Sequence, residues 1–252
     1  MKNWRRIICA ALALVLMISL VGCDGKGEDS TNDIAVSAKP DKRVAITFDD
    51  GPHNVRTRAI VDELAKYGFN ATFFVVGNRV DGTEMNCAAT VRYIIENGNE
   101  VGIHGYTHDV YYNSCSDEEY KFELSETEKA IKDAQKGYDV SLMRPIGGAI
   151  TKERTEDCEY AVIMWDVDSL DYEHRYSSSD DEDAAQKRDN IVENVMSQVK
   201  DGSIILMHDI YQSTVDATAV ILERLHEEGY DVVTVSQLIG DVEAGVKYFS
   251  AK

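Results

Sequence analysis

Two adjacent carboxylates, Asp49 and Asp50, stand between the apolar run Val44-Ala45-Ile46-Thr47-Phe48 and the dipeptide Gly51-Pro52. The run reads as a buried strand and Gly-Pro as a turn. Acids at such a strand end are costly to desolvate unless something binds them. Neighbouring side chains on a strand face opposite ways. One of the pair can therefore ligate a metal ion while the other stays free to take a proton. The plainer alternative is an Asp-Asp-Gly turn that caps a helix near Thr57. A second cluster is His104-Gly105-Tyr106-Thr107-His108. On a helical turn, two histidines four apart share a face, a spacing that grips one metal ion. Zinc sites of this spacing can carry a glutamate after the first histidine. Gly105 stands there instead, so a base must come from elsewhere, and the Asp49/Asp50 pair has a carboxylate to spare. Two histidines and one aspartate leave positions open for water, as in a catalytic zinc site. The plainer alternative is two polar histidines on a loop.

These residues need a scaffold that gathers strand ends. From Val44 onward, strand patterns at 44–48, 71–76, 100–104, 141–144, 160–167, 203–208 and 231–235 alternate with helical patterns at 57–67, 89–97, 117–136, 188–199 and 215–228. Such alternation predicts a parallel sheet. The expected fold is α/β, a distorted or incomplete (β/α) barrel of about seven parallel strands. In such barrels active residues sit where strands end on the C-terminal face. The polar residues at those ends are Asp49, Asp50, His104, His108, Arg144, Asp168, Asp171, His208 and Asp209. Of the rest, Trp165 reads as core, His53 as a turn residue, His174 and His226 as surface, and Asp209 as a cap for the next segment. No internal repeat is evident. The acidic stretch 177–186 reads as a surface loop inserted into the pattern.

Composition narrows the function classes. The 252 residues carry a net charge of -19 and are 44% hydrophobic, which fits one α/β domain plus a leader. The charge excludes nucleic acid as a natural partner. None of the five cysteines sits in a C-x-x-C pair, so zinc knuckles and thioredoxin chemistry are excluded. Cys87, Cys115 and Cys158 remain in the domain, as buried thiols or with at most one disulfide. Residues 1–22 read as a signal peptide: Lys2, Arg5 and Arg6, then an apolar run too short to span a bilayer comfortably. The run closes on Leu20-Val21-Gly22-Cys23, which resembles the lipobox of bacterial lipoproteins, in which the cysteine is lipidated. Residues 23–42 read as a flexible tether. The resemblance implies a domain, 43–252, held by its lipid at the outer face of a bacterial cytoplasmic membrane, with no further membrane segment. Oligomeric state is not legible.

The domain as a whole resembles polysaccharide deacetylases of the NodB-homology type, carbohydrate esterase family 4. Thr47-Phe48-Asp49-Asp50-Gly51 matches the first motif of that family intact. His104 and His108 match the second, with Gly105 for its hydroxyl residue. Arg144-Pro145-Ile146-Gly147-Gly148 stands for R-P-P-Y-G, Asp168-Ser169-Leu170-Asp171-Tyr172 for D-x-x-D-W, and Leu206-Met207-His208 for L-x-H. The resemblance implies that Asp50, His104 and His108 hold a divalent metal, zinc first, with cobalt or nickel as alternatives. It implies Asp49 as general base, tethered by Arg144, and His208 as general acid, oriented by Asp171. Gly147 would lend a backbone N–H to the oxyanion. Tyr172 would offer a platform for a sugar ring, or else be a half-buried barrel aromatic, and Leu206 would line the substrate site. Gly147 in place of Tyr would leave the groove wall open. The implied activity is hydrolysis of N-acetyl groups on a cell-envelope polysaccharide, peptidoglycan N-acetylglucosamine or a chitin-like chain. The alternatives are an O-acetyl esterase acting on xylan and a non-catalytic sugar-binding lipoprotein.

Overall fold

A computed structural model describes residues 42–251. Residues 1–41, which hold the expected signal segment, Cys23 and almost all of the tether, lie outside the described residues. In chain order the domain runs β1 (Lys42–Asp49), α1 (Arg56–Tyr67), β2 (Thr72–Val76), α2 (Gly77–Val80), α3 (Ala88–Glu96), β3 (Glu100–Gly105), α4 (Asp117–Ala134) and β4 (Leu142–Met143). It continues with α5 (Lys152–Glu156), β5 (Ala161–Ile163), β6 (Val167–Asp168), α6 (Ala184–Met196), β7 (Ile204–His208), α7 (Gln212–Glu227), β8 (Tyr230–Val232), α8 (Val235–Ile239) and β9 (Lys247–Tyr248). The strand order is β6-β7-β1-β2-β3-β4-β5-β9, with β8 paired to β1. Each of these pairings is parallel. The sheet curls into the distorted (β/α) barrel that the alternation predicts.

Period-two alternation divides the core. Val44, Ile46 and Phe48 of β1 pack with Ile60 and Leu64 of α1 outside the sheet. Ala45 belongs to a second cluster with Phe74, Leu142, Ile163 and Ile204, on which Val235 and Leu238 of α8 also pack. Above Ala45 the same face of β1 presents Thr47 and then Asp49, both buried. The barrel interior is thus apolar at its base and turns polar toward the strand C-termini.

Three expectations are corrected. The stretch 160–167 is not one strand. β5 pairs with β4 and β9, whereas β6 pairs with β7, so the chain crosses the barrel seam at Met164-Trp165-Asp166. The carbonyls of Ile163 and Met164 accept hydrogen bonds from Arg144, and an unbroken apolar run carries no sign of that. The missed strand β9 lies in a polar tail, where two residues leave no period to read. The last helical residues of the acidic stretch 177–186 belong to α6, which begins at Ala184 rather than at 188. Among the described residues no helix is long and apolar enough to cross a membrane, and Cys87, Cys115 and Cys158 are free thiols, with Cys115 only half-buried.

Candidate active site

The register of the sheet assembles the site. β1 pairs with β7 so that Asp49 lies opposite His208. β3, one strand beyond β2, brings His104 to the same rim. The chain then turns sharply. Gly105 has φ 108° and His108 φ 66°, so a strand end and a tight loop, rather than a helical turn, set the two histidines facing. Asp50 also adopts a left-handed φ of 71°, which swings its carboxylate off the strand while Asp49 stays on it. Asp50 Oδ1 lies 2.8 Å from His108 Nε2 and 3.3 Å from His104 Nε2. One donor atom from each of the three residues falls within 4.8 Å of the others.

This donor set fits a divalent cation. His104 Nδ1 sits 3.0 Å from the carbonyl of Arg144. A carbonyl only accepts, so Nδ1 donates there, and that bond turns the other ring nitrogen, Nε2, toward Asp50. Burial alone would raise the Asp50 carboxyl, but its hydrogen bonds to His104 and His108 outweigh that and hold it well below the usual carboxylate range. The same contact raises the His108 imidazole above its usual value, against the effect of burial. A bound cation would take the place of the protons shared between this carboxylate and the two imidazoles.

Asp49 is held differently. Its Oδ1 accepts from Arg144 Nη1 at 2.9 Å, and its Oδ2 lies 3.8 Å from His104 Nε2. One oxygen is tied down and the other faces the donor cluster. Arg144 is 0% exposed, yet every nitrogen of its guanidinium donates a hydrogen bond. It donates to Thr47 Oγ1 at 2.7 Å, to Ile163 O at 3.0 Å and to Met164 O at 2.9 Å. It also lies over the Phe74 ring, 4.4 Å from its centroid, and 5.5 Å from that of Trp165. Opposing charge and a hydrogen bond from every nitrogen make such a buried cation tolerable. Trp165, read as core, is partly buried and serves as one wall of this pocket.

On the other side of β1, His208 Nδ1 donates to Asp171 Oδ1 at 2.7 Å. Asp171 Oδ2 accepts from the His208 backbone N–H at 2.7 Å and from Thr214 Oγ1 at 2.6 Å. Burial depresses His208, but Asp171, first by its hydrogen bond and then by its charge, with Asp50 and Asp49 behind it, raises the imidazole to about 9. Tyr172 is 37% exposed and stands edge-on to His208, with ring centroids 5.7 Å apart. Leu206 is buried and precedes His208 by two, hence on the same face of β7. Asp168 accepts from Leu170 N and stabilises the turn between β6 and Asp171.

Some residues lie where the sequence did not put them. Asp209 caps nothing after it. Its side chain turns back, accepts from Thr57 Oγ1 and packs so closely on Gly51 that any Cβ there would overlap it. Burial pushes that carboxyl up to about 7. His53 has the expected turn role, its Nδ1 accepting from Val55 N and Arg56 N. Gly147, with φ 58°, does not leave an open wall. The ring of Tyr111, 54% exposed, comes within 3.4 Å of the point where a Cβ on Gly147 would sit. An aromatic from the β3–α4 loop thus stands beside the gap.

Glu123 is the residue that sequence reasoning missed most plainly. It lies on α4 and is 1% exposed. Its Oε2 accepts from Tyr106 N at 2.6 Å and Thr107 N at 2.9 Å, and its Oε1 accepts from Thr107 Oγ1 at 2.6 Å. One buried carboxylate therefore fixes the loop between the two histidines. The signal was available, because Glu123 shares the buried face of α4 with Tyr120, Thr127 and Ile131. Glu123→Gln and Glu123→Ala are expected to weaken cation binding about ten- to hundredfold, read by competition with a chromophoric chelator. Unchanged affinity in both variants would refute the positioning role.

Comparisons with known proteins agree with this geometry. Residues 37–163 match the family profile for polysaccharide deacetylase. The chain is 33% identical over 213 residues to the peptidoglycan-N-acetylglucosamine deacetylase PgdA of Listeria monocytogenes, covering 84% of this chain and 42% of PgdA. It is 38% identical over 197 residues to the peptidoglycan-N-acetylmuramic acid deacetylase PdaC of Bacillus subtilis, covering 78% of this chain and 38% of PdaC. This chain therefore spans well under half the length of those two relatives. A solved structure of PdaC superimposes with a TM-score of 0.69 at 37% identity, over 78% of this chain and 89% of that one. A family 4 acetyl xylan esterase from Clostridium thermocellum, solved with cobalt, superimposes with a TM-score of 0.71 at 28% identity, over 83% and 98%.

Proposed function

This chain belongs to the polysaccharide deacetylase family, and from that membership we propose that it hydrolyses N-acetyl groups on peptidoglycan, N-acetylglucosamine units first. The observation that carries the reading is the pairing of two differently held aspartates. Asp50 lies between two imidazoles, and Asp49 is clamped at one oxygen by Arg144 and free at the other. Asp50, His104 and His108 hold the cation, which we take to be zinc on the chemistry of two imidazoles and one carboxylate. When bound it polarises the acetyl carbonyl and makes water acidic enough to attack near neutral pH. Asp49 Oδ2 takes the proton of the attacking water. Arg144 holds Asp49 by one oxygen and stops it rotating. Asp171 holds the Nδ1 proton of His208, so that Nε2 delivers its own proton to the departing nitrogen. The Gly147 N–H and the apolar wall of Leu206 serve the acetyl group, and Tyr172 with Tyr111 flanks the sugar.

The basic and apolar pattern of residues 1–22 and the Leu20-Val21-Gly22-Cys23 sequence support an exported protein, lipidated at Cys23 and tethered at the outer face of the bacterial membrane, with peptidoglycan in reach. The deciding experiment is acetate release from peptidoglycan and chitooligosaccharides, with and without a chelator, followed by readdition of zinc. Acetate release that stops on chelation and returns with zinc is the expected result. Zinc-loaded protein that frees no acetate from any glycan would instead favour a sugar-binding lipoprotein. Likeness to an acetyl xylan esterase supports a second reading, O-deacetylation of a xylan-type ester.

Activity should fall on the alkaline side as His208 loses its proton. Its imidazole is raised above 6.5, to about 9, so the protonated acid persists through neutral pH and is lost as pH climbs through the raised value. A cation beside Asp50 offsets part of the pull from that carboxylate, placing the limb between these two values. Asp171→Asn removes the first cause of the upward shift. Its kcat profile is expected to bend about one to two units lower. An unmoved alkaline limb would take the acid role away from His208.

A further inference from the structure

On the flank of the site beyond β7, an open cleft of about 370 Å³ is lined by Arg56, Arg175, Ser177, Ile210, Tyr211 and Gln212. It joins the site at Tyr211, whose ring centroid is 6.0 Å from that of His208. Arg175 lies over the Tyr211 ring, 5.6 Å from its centroid. Arg56 is braced from the other wall, with Nη1 donating to Ile210 O at 3.0 Å. Among the described residues neither guanidinium comes within ion-pair distance of a carboxylate; Arg43, Arg58 and Arg92 also lack one, but Arg56 and Arg175 are the two of these five that share this cleft, whereas Arg79, Arg144, Arg154, Arg188 and Arg224 are each paired. In a chain with 45 acids and 26 Lys and Arg residues, two unpaired arginines around one cleft call for an anion from outside.

The geometry selects the kind of anion. His208 protonates the departing nitrogen, so the sugar that bears this nitrogen extends past His208 toward Tyr211. Whatever the neighbouring ring carries then reaches the two arginines. Chitin and xylan backbones bring no charge there. The glycan of peptidoglycan does, because every second ring bears a 3-O-lactyl group that ends in a carboxylate or continues into an acidic peptide. A planar guanidinium pair suits a carboxylate in forked geometry. Resting on the peptidoglycan reading above, we propose that Arg56 and Arg175 form a carboxylate subsite that recognises the lactyl-borne acid on the ring adjoining the one being deacetylated. The subsite separates this substrate from neutral glycans.

The test uses three probes on the wild type and on Arg175→Gln: an alternating N-acetylglucosamine–N-acetylmuramic acid oligomer with free lactyl carboxylates, the same oligomer converted to methyl amides, and chitotetraose. For the zinc-loaded wild type, KM is expected to be about tenfold lower for the acid form than for the amide. Arg175→Gln should erase that difference and leave chitotetraose turnover unchanged. Equal KM for acid and amide in the wild type, or a loss in Arg175→Gln that is the same for all three probes, overturns the subsite. Calorimetric binding of the acid and amide oligomers to metal-stripped protein decides the point independently of turnover. If no probe releases acetate, the deacetylase reading falls, yet tighter binding of the acid than of the amide still upholds the subsite, and equal binding removes it.

Discussion

Asp49→Asn is expected to lower kcat by about a thousandfold while the protein keeps its full complement of cation. The substitution leaves Asp50, His104 and His108 untouched, and an amide oxygen can still accept from Arg144. What disappears is the basic Asp49 Oδ2, the oxygen of that carboxylate that Arg144 leaves facing the donor cluster. A structural cost comes with it, because Arg144 is wholly buried and Asp49 is the one carboxylate paired to it among the described residues. Leaving a buried charge uncompensated costs about 3–5 kcal/mol, so the melting temperature should fall as well. Metal analysis and activity at a temperature well below the transition separate the two effects. Loss of the cation along with activity would show that Asp49 serves as a ligand, and full activity would end its assignment as base.

His208→Ala should divide amide from ester substrates. An amine is a poor leaving group until it is protonated, so removing the acid is expected to cut release from N-acetylglucosamine oligomers by about a thousandfold. An alkoxide leaves with less help. O-acetyl ester turnover should fall by roughly tenfold or less. The variant does not disturb the donor cluster, since His208 belongs to β7 and contacts neither histidine of that cluster; its hydrogen-bond partner is Asp171. Equal losses on both substrates would mean that His208 positions the acetyl group rather than delivering a proton.

Why the strand ends were readable and the loops were not follows from the kinds of signal involved. An apolar run that breaks off at two acids announces a costly burial, and the register of β1 with β7 brings the next such break, at His208, beside it. The pocket of Arg144 is different. Its partners are Thr47, a serviceable strand residue anyway, and the carbonyls of Ile163 and Met164, and backbone acceptors leave no trace in residue type. Hence 160–167 reads as one strand when it is two. The turn that joins His104 to His108 was read as helical because spacing alone cannot distinguish a helix from a loop pinned from outside. The pin, Glu123, is hidden among Asp117, Glu118, Glu119, Glu126 and Glu128 of the same helix, and only its place on the buried face sets it apart. Tyr111 and the Arg56–Arg175 pair depend on how separate loops converge, information that no local window contains.

The short β9 closes the sheet on the side of the Arg144 pocket. The amides of Val162 and Met164 find their acceptors in Val246 and Tyr248, and Ala251 closes onto Gly202. The carbonyls that cradle Arg144 thus belong to a segment whose outer edge is held by β9, far along the chain from the residues it steadies. Loosening this edge would therefore slacken the Arg144 pocket, and through it the hold on Asp49, without altering any residue of the rim itself.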